Sequence, residues 1–500
     1  MTTAFASDPV STIAPVPTPA VSPASADTNY PPAERAAVDA SARGPVLFFF
    51  GNGLLWLMLA TVLGLITSIQ LAYPSFLADV PFLSYGRIWP AFTNTLCFGW
   101  GSLAGLGVTI WLLARLGRVR VKLPGVLITG AIFWQVGLTY GIIGILGGKT
   151  TGLEGLEIPT GSAILMMIGY GLIVVWALML FSFRSQSTPF ISVWYLVAAL
   201  LWFPWSFALA HAARFLPNVT GVMQGLVAAW ASQNFLSVWL TAIGLAAAYY
   251  LIPKVVNRPV HSYNLAAYGF WSFILFTGLT GAVRLSGGPI PAWVVTLSIA
   301  ANILLLVQIV TVTTNLVLTM RGQYHMVYHS PTIRFTFFGA IAFTVASCLS
   351  LFASLRSVDR IVHFTQFQNA ETQLIIYSFF SMVIFGAIYY ILPRLVGCEW
   401  LSSTMITIHF WGAAYGGGLL VVVLLLSGLA TGYALTDPAA TVRQIIETSS
   451  VYLAGAILGW LLIAVGHLVF GLHFLLMLLR IGQPGGEPTL FSPIGEEAKH

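Results

Sequence analysis

Residues 401–432 read LSSTMITIHFWGAAYGGGLLVVVLLLSGLATG, an apolar run without a single Asp, Glu, Lys or Arg. A helix rises about 1.5 Å per residue, so this run is long enough to cross the roughly 30 Å hydrocarbon layer of a bilayer. Membrane-spanning β-strands would instead alternate in segments of about ten residues, and the sequence shows no such alternation. The run therefore predicts a membrane-spanning helix.

Eleven similar runs precede or follow it, and the composition agrees with them. Apolar residues make up 58% of the chain and charged residues 7%, whereas a soluble protein carries about a quarter charged residues. The sequence predicts an all-α integral membrane protein of twelve transmembrane helices. The spans are placed near 45–72, 88–116, 124–147, 159–184, 189–213, 226–252, 264–287, 290–320, 333–357, 370–394, 401–432 and 445–480.

The spans divide the chain into three regions. Residues 1–43 are rich in Pro, Ala, Ser and Thr and predict a disordered cytoplasmic N-terminal tail. Residues 44–480 form the membrane domain, and residues 481–500 a short cytoplasmic tail. No Lys or Arg precedes Arg35, so a cleaved secretory signal is not indicated.

Basic residues predict the orientation of the spans. With the N-terminus in the cytoplasm, fourteen Lys and Arg fall on the cytoplasmic side, and Arg284 lies inside a span. Six fall outside: Arg87, Lys149, Arg214, Arg356, Arg360 and Arg443. Both termini are therefore predicted to be cytoplasmic. The net charge of +6 is spread among the loops without a basic stripe, so nucleic-acid binding is not indicated.

The three cysteines are isolated at Cys97, Cys348 and Cys398. None forms a CxxC or CxxCH pair, so neither a covalent c-type haem nor a zinc knuckle is encoded.

Seven short blocks of the sequence carry a family resemblance. They are QLAYP at 70–74, YGRIWP at 85–90, YYLIPK at 249–254, RPVHSY at 258–263, VHFT at 362–365, FGAIYYILPR at 385–394 and IHFW at 408–411. In order and spacing they resemble the catalytic subunit I of the C-family (cbb-type) haem–copper oxidases. The resemblance implies the subunit I bundle of that family, with a low-spin haem, a high-spin haem and a copper ion held by six histidines.

None of those six histidines is retained when each ligand position is counted from the nearest block. The haem-ligand positions fall on Phe92, Glu371 and Gln373, and the copper-ligand positions on Gln233, Val283 and Arg284. The tyrosine that the family cross-links to a copper ligand falls on Thr277. The remaining histidines form no His-His or His-x-His pair. The simplest interpretation of each is a hydrogen-bonded side chain at a seam between packed helices. We therefore expect no haem, no copper and no catalytic residue in this chain.

The residues beside the former ligands are bulky. Leu374–Tyr377 and Asn234–Leu236 stand where the resemblance implies small residues that make room for porphyrin. Protein interiors are packed to a density of about 0.74, so lost haems would leave voids that must be filled. These side chains are expected to fill them, although apolar bulk is also common in any span.

Two charges fall inside the spans. A charge in mid-span costs roughly 2.5–3.5 kcal/mol and usually has a partner. The resemblance places Arg284 and Glu371 where copper and a haem iron would face each other, which predicts a buried ion pair with Gln233 beside it. Alternatively, Arg284 lies close enough to the end of its span to snorkel to water, because Ser286–Pro289 ends the helix.

Three functions are compatible with these features. The first is a non-catalytic structural scaffold subunit of a bacterial inner-membrane respiratory complex, surrounded by lipids and holding c-type cytochrome subunits. The second is an active terminal oxidase or nitric oxide reductase subunit with displaced ligands, which would need haem b and copper. The third is proton, ion or small-molecule transport through the inherited core. The sequence offers no replacement ligand set, which favours the scaffold.

Overall fold

The computed structural model describes residues 30–481, and this part of the chain contains twelve helices long and apolar enough to cross a membrane. They are α1 (Pro32–Ala72), α2 (Tyr85–Gly117), α3 (Pro124–Leu146), α4 (Thr160–Ser182), α5 (Ile191–Ala213), α6 (Val222–Val255), α7 (Tyr263–Leu285), α8 (Ala292–Thr319), α9 (Pro331–Ser354), α10 (Gln366–Val396), α11 (Ser403–Leu435) and α12 (Val442–Leu478). Short helical segments at Pro81–Leu83, Met326–His329 and Arg356–Val362 lie in the connections. All twelve predicted spans are present.

The first boundary differs from the prediction. Helix α1 begins at Pro32, so residues 32–43, assigned to the disordered tail, continue the helix. The reason is a buried contact: a carboxylate oxygen of Asp39 lies 3.0 Å from Arg115 Nη1, and the Trp111 indole donates to the other oxygen at 3.1 Å. Residues 1–29 of the predicted N-terminal tail, and the C-terminal tail beyond Ile481, lie outside the described residues.

Helices α2, α6 and α10 form the centre of the bundle, and their most apolar windows are almost wholly buried. The other helices surround them, and their outward faces carry large exposed apolar side chains such as Leu55, Ile143 and Leu468. Such apolar faces are suited to contact with the acyl chains of lipids. Small residues bring the outer helices close together: a Cβ on Gly416 of α11 would lie 2.7 Å from the Gly459 carbonyl of α12.

Candidate functional site: the former metal positions

All three central helices change their winding where the assigned ligand positions lie. Each contains a π-helical segment: Thr95–Gly101 in α2, Asn234–Leu240 in α6 and Leu374–Ser381 in α10. Phe92 lies three residues before the first segment, while Gln233 and Gln373 immediately precede the other two. Val283 and Arg284 lie in a 3-10 segment, Thr277–Leu285, that ends α7. Irregular winding of this kind is frequent at functional sites, and no local sequence pattern predicts it here.

Four of the six assigned positions surround one small cavity. Gln233, Val283, Arg284 and Glu371 line a space of about 50 Å³. The structure thus brings the three assigned copper-ligand positions to one of the haem-ligand positions. Thr277 lines a neighbouring cavity, also of about 50 Å³, that shares Gln233 with the first.

Arg284 and Glu371 face that cavity without touching each other. In residues 30–481 no nitrogen–oxygen contact within 4.0 Å joins the two side chains, although the two charges interact electrostatically. Arg284 is also the second-last residue of α7, as the snorkelling alternative requires. The direct ion pair therefore stays a prediction.

Phe92 lies in a different environment, packed against aromatic rings. Its ring meets Trp460 of α12 edge to face, with centroids 5.3 Å apart, and Trp89 lies 5.8 Å away. Trp460 also packs closely against α1, where a Cβ on Gly64 would lie 2.6 Å from the indole ring. Large side chains from α2 and α12 thus occupy the space beside this position, against a glycine of α1.

Tyr377, one turn beyond Gln373, contacts a hydrogen-bonded histidine of α12. The Tyr377 hydroxyl lies 3.0 Å from His467 Nε2, and the Thr61 hydroxyl lies 2.6 Å from His467 Nδ1. Both ring nitrogens are therefore engaged with hydroxyl groups. Gln373 itself is 3% exposed, and its side-chain oxygen has no hydrogen-bond partner among the described residues.

Two further histidines lie at seams between helices. His409 Nδ1 is 2.8 Å from the Tyr389 hydroxyl, and its ring lies 4.5 Å from Phe385 and 4.7 Å from Phe470. His473 Nε2 accepts a hydrogen bond from the Ser402 amide at 3.3 Å. These contacts match the interpretation of the core histidines as hydrogen-bonded seam residues.

His211 departs from that interpretation. It is 8% exposed, and neither ring nitrogen has a partner within the described part of the chain. Its ring packs on Phe207 at 4.5 Å. Across residues 30–481, no three His, Cys, Asp or Glu side chains are grouped closely enough to hold a metal ion.

The donor set at the assigned positions does not fit two haems and a copper ion. Haem iron and copper in the family are bound by imidazole, and here the six side chains are a phenyl, an isopropyl, two amides, a guanidinium and a carboxylate. The nearby His467 has no free ring nitrogen.

The family profile described as "Cytochrome C and Quinol oxidase polypeptide I" matches residues 44–462. The chain belongs to this family. The twelve-helix bundle is accordingly that of haem–copper oxidase subunit I, as the resemblance implied.

Curated relatives point to the same family. The chain is 24% identical over 410 residues to the cbb3-type cytochrome c oxidase subunit CcoN1 of Stutzerimonas stutzeri, covering 79% of this chain and 85% of the relative. It is 27% identical over 466 residues to a cytochrome c oxidase subunit 1 homolog of Azorhizobium caulinodans, covering 86% and 82%. A similar homolog from Agrobacterium tumefaciens is 27% identical over 397 residues, covering 75% and 71%. The chain is thus a divergent haem–copper oxidase subunit I, similar to cbb3-type subunits.

A buried acid that no sequence pattern predicts lies in the connection between α3 and α4. Glu157 is 8% exposed, and its carboxylate accepts a hydrogen bond from Asn94 Nδ2 at 3.0 Å. Burial raises the pKa of the Glu157 carboxyl above its usual range, and the hydrogen bond from Asn94 opposes that shift. In the sequence Glu157 looks like an ordinary loop acid three residues from Glu154, so only its burial marks it.

Proposed function

We propose that this chain acts as a haem-free and metal-free scaffold subunit of a bacterial inner-membrane respiratory complex. The observation that carries the proposal is the donor set: none of the six assigned ligand positions holds a histidine. The chain keeps the subunit I bundle and loses the groups that would bind its cofactors. It has no catalytic activity of its own.

The packing beside those positions supports the proposal. Phe92 with Trp460, and Tyr377 with His467, occupy interior space between α1, α2, α10 and α12. Filling by aromatic side chains stabilises a bundle that would otherwise contain voids the size of a porphyrin, because apolar contacts are lost around every unfilled cavity.

The partners are proposed to be c-type cytochrome subunits, together with the lipids around the bundle. The curated relatives are named as cytochrome c oxidase subunits, and a chain with the same bundle would offer the same sides to partners. The distribution of basic residues supports cytoplasmic termini, which places the connection holding Glu157 on the outer side of the membrane.

A pyridine haemochrome assay on the purified full chain tests the absence of haem. The expected spectrum shows less than one tenth of a b-type haem per chain, while a cbb-type oxidase prepared in the same way serves as the positive control. Metal analysis of the same sample should show no stoichiometric copper. A stoichiometric b-type signal would contradict the proposal and favour an oxidase with displaced ligands.

Isolation of the native complex tests the scaffold role. An affinity-tagged chain should co-purify with proteins that carry covalent c-type haem, visible by haem staining on a denaturing gel. A chain that is purified from mild detergent without any c-type cytochrome would rule out this role.

A further inference from the structure

A cavity larger than those at the assigned positions opens at the end of the bundle beside the α3–α4 connection. It measures about 300 Å³ and lies between α2, α6, α10 and that connection. Its lining includes the exposed residues Tyr85, Glu154 and Phe364, so it reaches the protein surface. Pockets for small molecules begin at about this volume.

Two carboxylates line this cavity and lie near each other. Glu157 is 8% exposed, accepts the hydrogen bond from Asn94 and interacts electrostatically with Glu154. No Lys, Arg or His side chain lies within 4.0 Å of either carboxylate in the described part of the chain. A cation beside these acids would offset the cost of burying the Glu157 carboxylate.

Arg284 also lines the cavity, but acids on its other side offset its charge. It lines the 50 Å³ cavity of the assigned positions together with Glu371 and Asp359, and it interacts electrostatically with Glu371. The remaining charged residues in the lining of the larger cavity are Glu154 and Glu157. The excess charge of the larger cavity is therefore negative, which favours a cation over an anion.

An apolar compartment adjoins Glu157. Asn94, which binds the carboxylate, and Phe98 lie on the same face of α2, about 6 Å apart along the helix axis. Phe98 packs against Phe235 of α6 with ring centroids 4.6 Å apart, and Ile376 of α10 lines the same cavity. A buried carboxylate and an aromatic wall thus lie within the length of one small molecule.

We propose that this cavity binds a primary ammonium cation with an aromatic body, such as an arylalkylamine. The ammonium group donates to the Glu157 carboxylate, Glu154 adds attraction at the mouth, and the ring packs against Phe98 and Phe235. An ammonium group brings three N–H donors and a positive charge, so it pairs with the buried acid as a neutral alcohol cannot. This site is independent of the scaffold role, because Arg284 is the one assigned ligand position in its lining.

Calorimetric titration of the full chain tests this assignment. The protein is solubilised in dodecyl maltoside, whose headgroup is uncharged, and titrated with 2-phenylethylamine, the neutral 2-phenylethanol and the anionic 3-phenylpropionate. 2-Phenylethylamine should bind saturably and at least about tenfold more tightly than either analogue, because only the amine pairs with the buried carboxylate.

A fourth probe separates a free amine from a lipid headgroup. Phosphoethanolamine carries the same ammonium group as phosphatidylethanolamine but has no ring and adds a phosphate. It should bind at least about tenfold more weakly than 2-phenylethylamine, because it buries no apolar surface against Phe98 and Phe235.

Variants locate the site. Glu157→Gln keeps the shape of the side chain and the acceptor for Asn94 but removes the charge, so it should weaken 2-phenylethylamine binding at least about tenfold. Asp79→Asn removes one exposed carboxylate from the connection between α1 and α2, outside the cavity lining, and should leave binding unchanged. Thr372→Phe fills the cavity without changing its charge and should abolish binding.

Any of four results would overturn the proposal. The first is the absence of saturable 2-phenylethylamine binding, and the second is equal or tighter binding of either analogue. The others are unchanged binding in Glu157→Gln and unchanged binding in Thr372→Phe. Tighter binding of phosphoethanolamine would assign the cavity to a lipid headgroup and would also refute the free-amine assignment. The haemochrome result is independent of all these measurements, so failure here leaves the proposed scaffold role untouched.

Discussion

Glu157 shows how a single residue can acquire an unusual environment through a loop. Its backbone carbonyl accepts hydrogen bonds from the Thr150 hydroxyl at 3.1 Å and the Thr151 amide at 3.3 Å, which close the connection on itself. Its carboxylate then points away from water toward Asn94. A carboxyl in this setting favours the protonated form, because burial penalises its charge.

Replacing this acid by its neutral isostere should stabilise the protein. The pKa of Glu157 is higher in the folded than in the unfolded chain. The contribution of this carboxyl to the free energy of unfolding is therefore complete only at a pH below its unfolded pKa. That contribution is lost as the pH rises from the unfolded pKa through the folded pKa. Glu157→Gln should therefore raise Tm at pH 7, and the gain should vanish on acidification toward the ordinary pKa of Glu. The Gln oxygen still accepts from Asn94.

Thermal unfolding in detergent, followed by tryptophan fluorescence from pH 4 to pH 8, measures this effect. Asp79→Asn is the matched control, since Asp79 is an exposed acid in the connection between α1 and α2 and its replacement should leave Tm unchanged. A Tm difference between Glu157→Gln and the parent that grows as the pH falls would contradict the sign of the linkage.

The structure depends on close contacts between helices α1 and α12. Gly64 has Trp460 directly on its face, with the nearest ring atom 2.6 Å from where a Cβ would lie. The indole cannot move away freely, because Phe92 packs against it from α2. Only a residue without a Cβ fits at position 64 of α1, because Trp460 of α12 occupies the adjacent space.

Gly64→Ala should destabilise the bundle by about 1–3 kcal/mol, as overpacking of a tight interior does. Gly51→Ala in the same helix is the control, because no heavy atom lies within 4 Å of its Cβ position. There the higher helix propensity of alanine should leave stability unchanged or slightly raised. Denaturation midpoints of the two variants in one detergent provide the comparison, and equal midpoints would refute the packing argument.

The basic residues of the loops predict how the whole bundle is oriented in the membrane. The connection after α1 and the connection after α4 are separated by three spans, so they lie on opposite sides. Ser75 and Ser187 are exposed in these two connections. The distribution of basic residues predicts Ser75 outside and Ser187 in the cytoplasm.

Labelling of single cysteines with a membrane-impermeant maleimide on spheroplasts tests that orientation. In a Cys398→Ser background, Ser75→Cys should be labelled, and Ser187→Cys should be labelled only after the membrane is opened. Cys97 and Cys348, which lie within spans, form the background signal. The reverse pattern would place the termini outside.

The sequence by itself determined the twelve spans and the subunit I bundle. Hydropathy is a local property that a run such as 401–432 carries without help from the rest of the chain. The sequence also predicted that Arg284 and Glu371 lie near each other, because the resemblance maps both onto neighbouring metal ligands. Only α1 was misjudged at its start, where a partner 76 residues away, Arg115, holds Asp39 in the helix.

The tertiary structure alone decided what occupies the interior and what is left unpaired there. Trp460 fills space beside Phe92, and His467 meets Thr61 across 406 residues of sequence. Glu157 becomes a buried acid only because its loop closes over α2. Such contacts depend on distance and burial in space rather than on local pattern, because packing acts between side chains that the folded bundle brings together.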